Sequence, residues 1–454
     1  MILAQLKRKI RDRIYCYLPL PDYYGGDFKR IYSFLQQSCH WSREQIQAYK
    51  LEQIRALLSF AQENVPYYRD LFKTIGLDSR DIKSLEDFSQ IPILSRKTLQ
   101  DNLEQLKASN FKSYMPLRTQ TSGTTSQMTL LYRSQYHEAF RKAVVWRFHS
   151  QHGHNFRDRW VNIACRSFDP KSPVCEYNRL ENCLLINTYH IIRGCRDEIL
   201  EAIRDFQPTM IWTHPSPLGI LADYAISKGI QPIRVPVIAT FAEKMYPHIR
   251  KVLREVFPGK YIDYFANREN SFASWGNSDD RFYEVSEYCH MEVAHRWSDG
   301  VTGDLITTSL HNYAVPLIRY DPGDIVKWCG YQNDNTPYPM VELLGGRGKD
   351  VLVTHDGLTV PYFLAYIDAK NFNKLRKYQI EQVAFDEIIL RVVPKDNYIR
   401  QQDEPLLLRY ASESLANKFR IRLEYVDDIP LTDGGKYRPV ISQLAVEYFD
   451  RKHN

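Results

Sequence analysis

Three apolar segments separated by two helical ones decide the fold of this 454-residue chain. The apolar segments are Thr209-Met-Ile-Trp-Thr213, Val235-Pro-Val-Ile-Ala-Thr-Phe241 and Tyr261-Ile-Asp-Tyr-Phe-Ala266. Between them, Pro217–Lys228 and Glu243–Phe257 have helical spacing and are followed by glycine. Buried strands that alternate with helices predict an α/β domain with a mostly parallel sheet. Ligands bind such sheets at the carboxyl ends of the strands, so the loops after these segments are candidate site residues.

The alternation continues towards the N-terminus and changes towards the C-terminus. Tyr136–Phe148 and Glu198–Phe206 are predicted helices, and Trp160–Cys165 is a predicted buried strand. After about residue 300 the pattern becomes a series of short strands. They are predicted at Gly303–Leu310, Pro316–Tyr320, Ile325–Trp328 and Val341–Leu344.

A glycine-rich joint, Gly345-Gly-Arg-Gly-Lys-Asp350, follows these strands. Beyond it the order of elements predicts a small α+β domain. Its predicted strands and helix are Tyr378–Phe385, Glu387–Val393, Pro405–Phe419 (the helix) and Ile421–Val426. We therefore expect a large α/β domain at residues 1–346 and a small C-terminal domain at residues 347–454.

The N-terminal part contains three helix signals. Apolar residues near one face and five basic residues in 1–15 predict an amphipathic helix, which can lie on an anionic membrane surface or pack on the protein itself. Ser42 and Gln45 form a capping box for a helix that ends at Val65-Pro66. Ser95 should cap a short helix after the extended segment Ile91-Pro-Ile-Leu-Ser95.

Composition narrows the class of protein. A chain that is 44% hydrophobic and 25% charged is typical of globular proteins, and a net charge of +6 does not indicate nucleic-acid binding. None of the eight cysteines forms a CxxC pair, and no apolar run is long enough to span a membrane. We therefore expect a cytoplasmic protein with free thiols.

The segment Arg118-Thr-Gln-Thr-Ser-Gly-Thr-Thr-Ser126 places one glycine among hydroxyl side chains. Gly123 permits a tight turn whose N–H groups face inward, and such a nest attracts oxyanions. Ser122, Thr124 and Thr125 add hydroxyl donors. The segment suits a loop that binds polyphosphate, although it lacks the Gly-Lys-Ser/Thr of a Walker loop. The alternative is an ordinary Ser/Thr-rich turn before a strand.

Four further stretches carry charged residues at turns and strand ends. They are Phe265-Ala-Asn-Arg-Glu269, Arg319-Tyr-Asp-Pro-Gly-Asp324, Arg347-Gly-Lys-Asp350 and Thr432-Asp-Gly-Gly-Lys-Tyr-Arg438. Each alone is also compatible with a surface carboxylate, an ordinary linker or a solvated lysine. Their order along the chain, after the hydroxyl-rich loop, is more specific than any one of them.

Together these five motifs resemble those of the adenylate-forming ligase superfamily. Within it the chain is most similar to the phenylacetate–CoA ligase branch, which includes relatives from capsular polysaccharide biosynthesis. The resemblance runs from about Trp41 to Val440 and includes Val65-Pro-Tyr-Tyr-Arg69 and Ile91-Pro-Ile-Leu-Ser-Arg-Lys97. It implies a large α/β domain and a small C-terminal α+β domain that moves during the reaction.

The resemblance implies a two-step reaction. A carboxylate would attack the α-phosphorus of ATP, giving an acyl-adenylate and pyrophosphate, and a thiol or an amine would then take the acyl group as AMP leaves. Ser122, Gly123, Thr124 and Thr125 would hold the β- and γ-phosphates, with Thr124 also in the catalytic set. Lys436 would stabilise the charge of the adenylation transition state, and preorganised charge of this kind is usually the largest catalytic term.

The same resemblance assigns the other site residues. Glu269 would ligate Mg²⁺, a hard cation that prefers oxygen ligands and bridges phosphates, and Asn267 and Arg268 would bind nucleotide beside it. Asp324 would accept hydrogen bonds from both ribose hydroxyls. Arg347 would reach the ribose or a phosphate.

The resemblance also implies a hinge and an acyl pocket. Lys349 and Asp350 would form the hinge about which the small domain rotates, which would withdraw Lys436 for the second step. The acyl pocket would be lined by Trp212-Thr-His-Pro-Ser216 and Thr240-Phe-Ala-Glu243. His214 would either orient the substrate or be a packed, hydrogen-bonded residue.

Two hypotheses about function remain at this stage. One is a ligase whose acceptor is CoA or an amine on a sugar or amino acid, and the basic N-terminal helix would suit work beside lipid-linked glycan. The other is a non-catalytic nucleotide-binding relative that acts as a scaffold in glycan biosynthesis. Ser126, Gln127-Met128 and Phe265-Ala266 depart from the family pattern and favour the second, whereas Lys436 favours the first.

A metal site of another kind was also considered. Zinc could in principle be bound by Cys289, His290, His295 and Cys329. Their spacing fits no structural zinc pattern, so the sequence does not predict zinc.

Overall fold

The computed structural model describes most of the chain. The described residues are 24–120, 130–164, 171–242, 245, 247–277, 280–295, 300–332, 336–345, 352–355, 359–360, 374–415, 417–429 and 440–444. The predicted residues Ser122, Gly123, Thr124, Thr125, Glu243, Arg347, Lys349, Asp350 and Lys436 lie outside this set, as does the predicted N-terminal helix in 1–15.

Helices dominate the part of the chain before the first strand. They are α1 (Gly26–Ser38), α2 (Arg43–Asn64), α3 (Pro66–Ile75), α4 (Leu85–Phe88) and α5 (Arg96–Asp101). The predicted capping box is confirmed, because Ser42 Oγ accepts from Gln45 N and Gln45 Oε1 accepts from Ser42 N. Ser95 caps α5 by accepting from Thr98 N, as predicted.

Twelve described strands form one large sheet. They are β3 (Trp160–Ala164), β4 (Cys175–Asn178), β5 (Cys183–Asn187), β6 (Met210–Thr213), β7 (Val237–Phe241), β8 (Lys260–Ala266), β9 (Ala273–Gly276), β10 (Arg281–Glu284), β11 (Cys289–Ala294), β12 (Thr302–Ser309), β13 (Ile325–Gly330) and β14 (Met340–Gly345). Their order is β11-β12-β13-β14-β10-β9-β8-β7-β6-β3-β5-β4. A separate hairpin, β1 (Leu117–Gln120) and β2 (Leu130–Arg133), flanks the hydroxyl-rich loop.

The sheet is mixed, and its parallel part is the one that the strand–helix alternation predicted. Strands β5, β3, β6, β7 and β8 are parallel neighbours, whereas antiparallel pairs join β8 to β9 and the strands beyond it. The whole sheet is therefore not mostly parallel, because the chain returns by short turns rather than helices after β8.

Helices cover both faces of this sheet. On one face lie α7 (Thr188–Arg193), α8 (Arg196–Phe206), α9 (Pro215–Ser227) and α10 (Pro247–Val256), and on the other lie α1 and α6 (Gln135–Gln151). Gly259 precedes β8, where a Cβ would lie 1.9 Å from the carbonyl oxygen of Val235. The glycine therefore permits the close approach of the backbones that starts β8 beside β7.

One predicted strand is wrong. Residues 316–320 form no strand, and Tyr320 makes isolated bridges to Leu94 and Thr307 instead. The apolar residues there are buried because they join a third core with α2 and α3. Strands β4, β5, β9, β10 and β11 were not predicted.

The C-terminal part has its own small sheet. Strands β17 (Leu375–Ala384), β18 (Glu387–Pro394), β19 (Arg420–Tyr425) and β20 (Val440–Ser442) lie in the order β19-β18-β17-β20, with α11 (Arg400–Ser414) between β18 and β19 in sequence. A two-stranded pair, β15 (Leu352–Val353) and β16 (Thr359–Val360), precedes them. The predicted α+β order is confirmed. None of the described helices is long and apolar enough to span a membrane.

Candidate active site

The turn after β8, residues 267–271, presents the predicted carboxylate. Asn267 closes this turn, since its Oδ1 accepts from Ser271 N at 2.9 Å and its Nδ2 donates to Ser271 Oγ at 2.7 Å. Asn270 has a φ of 55°, a left-handed conformation that asparagine tolerates better than most residues. Ser271 Oγ lies 2.7 Å from Thr307 Oγ1 on β12, so the turn is also fixed to the sheet.

Two buried rings hold the turn from α6 and the loop before β11. His137 Nε2 and the hydroxyl of Tyr288 lie 3.1 Å and 3.2 Å from the carbonyl oxygen of Asn270. The rings of His137 and Tyr288 stack at 5.0 Å. Burial lowers the pKa of His137 to about 3, so this imidazole is neutral at neutral pH.

Glu269 is the buried carboxylate of the turn, with 4% of its side chain exposed. Its Oε1 accepts from Arg96 Nη2 at 2.7 Å and from the hydroxyl of Tyr320 at 3.1 Å. Oε2 accepts no hydrogen bond from the part of the chain that the structure describes. Burial alone would lower the pKa of Arg96, but Tyr320 and Glu269 more than offset it and raise that pKa. Arg96 therefore stays charged and balances the carboxylate.

Residues 319–321 bring Arg96 to Glu269. Leu94 N donates to the carbonyl oxygen of Arg319 at 2.9 Å, and Asp321 N donates to that of Leu94 at 3.1 Å. The Arg319 guanidinium donates to the carbonyl oxygens of Ser89 and Ile91. The extended segment before α5 is thus tied to the loop that carries Tyr320, and Arg96 follows at the start of α5.

Asp324 lies where that loop enters β13. Gly323 has a φ of 86° and donates its N–H to Asp321 Oδ1 at 2.7 Å, which closes the predicted Pro-Gly turn. Leu305 N donates to the carbonyl oxygen of Asp324 at 2.8 Å, and the residue is half-buried. Arg268, two strands away in the Glu269 turn, is exposed.

The predicted acyl-pocket residues meet at the ends of β6 and β7. The rings of Trp212 and Phe241 stack at 4.5 Å, and the ring of His214 lies 4.4 Å from that of Phe241. On the other face of the sheet, Thr240 donates to Asp263 at 2.9 Å. Burial raises the pKa of Asp263 to about 7.

Metal binding can be judged from the donor set. The described residues contain no group of three or more His, Cys, Asp or Glu side chains that could hold a metal ion. The buried Cys289 thiol contacts backbone carbonyls, and His295 pairs with Asp304 at 2.9 Å. Mg²⁺, unlike zinc, is commonly held by one or two carboxylates with water and substrate phosphates, and Oε2 of Glu269 fits that requirement.

Sequence reasoning quoted Arg96 and Tyr320 within motifs but gave them no role. The structure unites them with Glu269, although 173 and 51 residues separate them from it along the chain. The available signal was that Arg96 directly follows a helix cap in a stretch shared with the family.

Comparisons with known proteins agree with this architecture. Residues 352–443 match the family described as the CapK C-terminal domain. The phenylacetate–coenzyme A ligase of Pseudomonas putida is 24% identical over 351 residues, which are 69% of this chain and 73% of the relative. That of Thermus thermophilus is 22% identical over 455 residues, which are 88% of this chain and 97% of the relative.

Solved structures share the fold. A 2-hydroxyisobutyryl-CoA ligase in complex with 2-HIB-AMP and CoA, in the thioesterification state, has a TM-score of 0.60 at 16% identity and covers 92% of this chain and 94% of its own. The same ligase in the postadenylation state has a TM-score of 0.53 at 18% identity, with the same coverage. Family match, relatives and fold all point to the adenylate-forming ligase superfamily. Within it, the sequence relatives are phenylacetate–CoA ligases and the C-terminal part is of the CapK type.

Proposed function

We propose that this chain is an ATP-dependent, AMP-forming ligase that activates a carboxylic acid and passes the acyl group to a thiol or an amine. The observation that carries the proposal is Glu269, a buried carboxylate with one oxygen held and the other available, on a rigid turn at the carboxyl end of a parallel strand. Relatives named as CoA ligases support the same reaction class.

The described residues have distinct proposed roles. Glu269 would hold Mg²⁺ through Oε2, and Asp324 would accept hydrogen bonds from the ribose. Mg²⁺, when bound, would neutralise charge on the phosphates of ATP. Asn267 stabilises the turn, and the exposed Arg268 would contact nucleotide.

The roles of the residues outside the described set stay proposals from the sequence. Ser122, Gly123, Thr124 and Thr125 would bind the β- and γ-phosphates, and Arg347 would bind the ribose or a phosphate. Lys436 would stabilise the adenylation transition state. Lys349 and Asp350 would be the hinge that withdraws Lys436 afterwards.

The acceptor and the biological setting are the finer part of the proposal. CoA is one candidate acceptor, supported by the names of the relatives, and an amine on a sugar or amino acid is the other. The CapK-type C-terminal match supports a role in surface-polysaccharide biosynthesis. The protein would work in the cytoplasm, with residues 1–15 as a peripheral contact to the inner membrane face.

Pyrophosphate release from ATP and Mg²⁺ against a panel of acids tests the reaction. The panel would contain aryl, fatty, amino and uronic acids, each with and without CoA or simple amines. We expect release with one class of acid, and dependence on CoA or amine would identify the acceptor.

A lysine pair provides the control. Lys436→Ala should lower pyrophosphate release by about 100-fold or more while ATP affinity changes little, because a preorganised charge acts mainly on the transition state. Lys251→Ala, at an exposed position of α10, should leave release unchanged. Equal activity in both variants would remove Lys436 from the mechanism.

The altered hydroxyl-rich loop, with Ser126 and Gln127-Met128, favours a second candidate function. This is a non-catalytic nucleotide-binding relative that acts as a scaffold in a glycan biosynthesis system. ATP binding without pyrophosphate release from any acid would support the scaffold and contradict the ligase.

A further inference from the structure

We propose that Tyr320 and Arg96 are positioning residues, which hold Oε1 of Glu269 so that Oε2 stays available to Mg²⁺ with ATP. The proposal rests on the proposed function, because it assumes that Glu269 meets a metal–nucleotide complex. It adds two residues that have no role in the motif-based assignment.

Tyr320 is suited to hold a carboxylate oxygen. The side chain is fully buried, and backbone bonds to Leu94 and Thr307 fix the residue from both sides. Thr307 N donates to the Tyr320 carbonyl at 2.8 Å, and Tyr320 N donates to the Thr307 carbonyl at 2.7 Å. Burial raises the pKa of Tyr320, so its hydroxyl remains a donor. The hydroxyl therefore meets Oε1 with little freedom to move.

Arg96 approaches the same oxygen from a different element. Its backbone is fixed by the Ser95 cap of α5 and by the pairing of Leu94 with residues 319 and 321. Its Nη2 donates to Oε1 at 2.7 Å, while 30% of the side chain is exposed. The charge of Glu269 is thus balanced without a bond to Oε2 from the described residues.

The chemistry follows from how a carboxylate binds a metal. An unheld glutamate loses side-chain entropy when it binds, whereas one already held by two donors has less to lose. Outer-shell partners of metal ligands orient those ligands, and their loss commonly costs 10- to 100-fold in metal affinity or activity. Two donors on one oxygen leave the lone pairs of the other for the cation.

Substitutions that keep the local charge separate positioning from electrostatics. Tyr320→Phe removes one hydroxyl, and Arg96→Lys keeps the charge but not the planar donor group. We expect each to raise the half-saturating Mg²⁺ concentration for ATP binding, measured by calorimetry, by about tenfold. The KM for Mg·ATP should rise more than kcat falls.

Tyr68→Phe is the matched control. This hydroxyl is also fully buried, donates to the Pro316 carbonyl and accepts from Ile318 N, each at 3.1 Å, but it does not contact Glu269. We expect a loss of Tm like that of Tyr320→Phe, with an unchanged Mg²⁺ titration. Equal Mg²⁺ titrations for Tyr320→Phe, Arg96→Lys and the control would overturn the positioning role.

The design separates this proposal from the proposed function. Mg²⁺-dependent ATP binding that shifts in both variants, without pyrophosphate release in the wild type, would support the positioning role and contradict the ligase. Pyrophosphate release with an unshifted Mg²⁺ titration would do the reverse. Absence of Mg²⁺-dependent ATP binding in the wild type would contradict both.

Discussion

Two buried glutamates, Glu269 and Glu287, each meet an arginine and a tyrosine, but their oxygens are used differently. Glu269 receives Arg96 and Tyr320 on Oε1. Glu287 receives Arg147, Tyr338 and Ser38 on Oε1, at 2.6–2.7 Å, and Arg147 Nη2 also lies 3.5 Å from Oε2. The same residue types thus build two different sites.

The exposure of the arginines follows the same division. The Arg147 side chain is 4% exposed and that of Glu287 0%, whereas Arg96 is 30% exposed. Burial alone would raise the pKa of Glu287, but Arg147 and the hydroxyl donors lower it. A carboxylate bonded through both oxygens joins α1, α6 and the sheet, while one bonded through a single oxygen can still bind a cation. The difference indicates a structural role for Glu287 and a chemical one for Glu269.

Glu287→Gln should have the largest effect on stability. It leaves Arg147 charged and buried without a carboxylate, and breaking a buried pair commonly costs about 3–5 kcal/mol. Urea unfolding would measure this loss, with Glu104→Gln as the control because Glu104 makes an exposed pair. A loss below that scale would mean that Arg147 finds another partner, and the contrast between the glutamates would weaken.

Glu269→Gln should act mainly on function. We expect pyrophosphate release to fall by about 100-fold, because the variant loses the proposed metal ligand. The free energy of unfolding should fall less than in Glu287→Gln, since Arg96 can reach solvent. The two variants would be compared in the same release assay and the same urea titration. Full release in Glu269→Gln would show that this carboxylate does not hold the metal.

The smallest effect concerns a histidine beside Glu287. His311 Nε2 lies 2.7 Å from the Glu287 carbonyl oxygen, and burial lowers the pKa of His311 to about 4. Because the unfolded pKa is about 6.5, the folded state binds fewer protons between pH 6.5 and 4. The stability from this group is therefore present above pH 6.5 and is lost as pH falls through that window.

His311→Gln should remove that loss. Between pH 7 and 5 the variant should lose about 2 kcal/mol less free energy of unfolding than the wild type. His137 contributes in the same direction, and Asp263, with its raised pKa, in the opposite one, but both are present in the two proteins. Parallel pH profiles for wild type and variant would contradict the assignment.

Much of the fold could be predicted because local patterns specify elements. The parallel strands β3, β6, β7 and β8 follow from apolar runs between helices, and the Ser42 capping box follows from two side chains three residues apart. Residues 316–320 are equally apolar, yet they pack in a core with α2 and α3 rather than extend as a strand. Periodicity predicts burial there but does not select the partner that causes it.

The site divides in the same way between sequence and structure. The sequence by itself determined that a carboxylate follows β8, that an aspartate follows a Pro-Gly turn, and that hydroxyls surround Gly123, because these are properties of neighbouring residues. Only the tertiary structure decided that Arg96 and Tyr320 both bond to Oε1 of Glu269. Their separations of 173 and 51 residues place that choice beyond local pattern, since side-chain contacts between distant segments form only when whole elements pack.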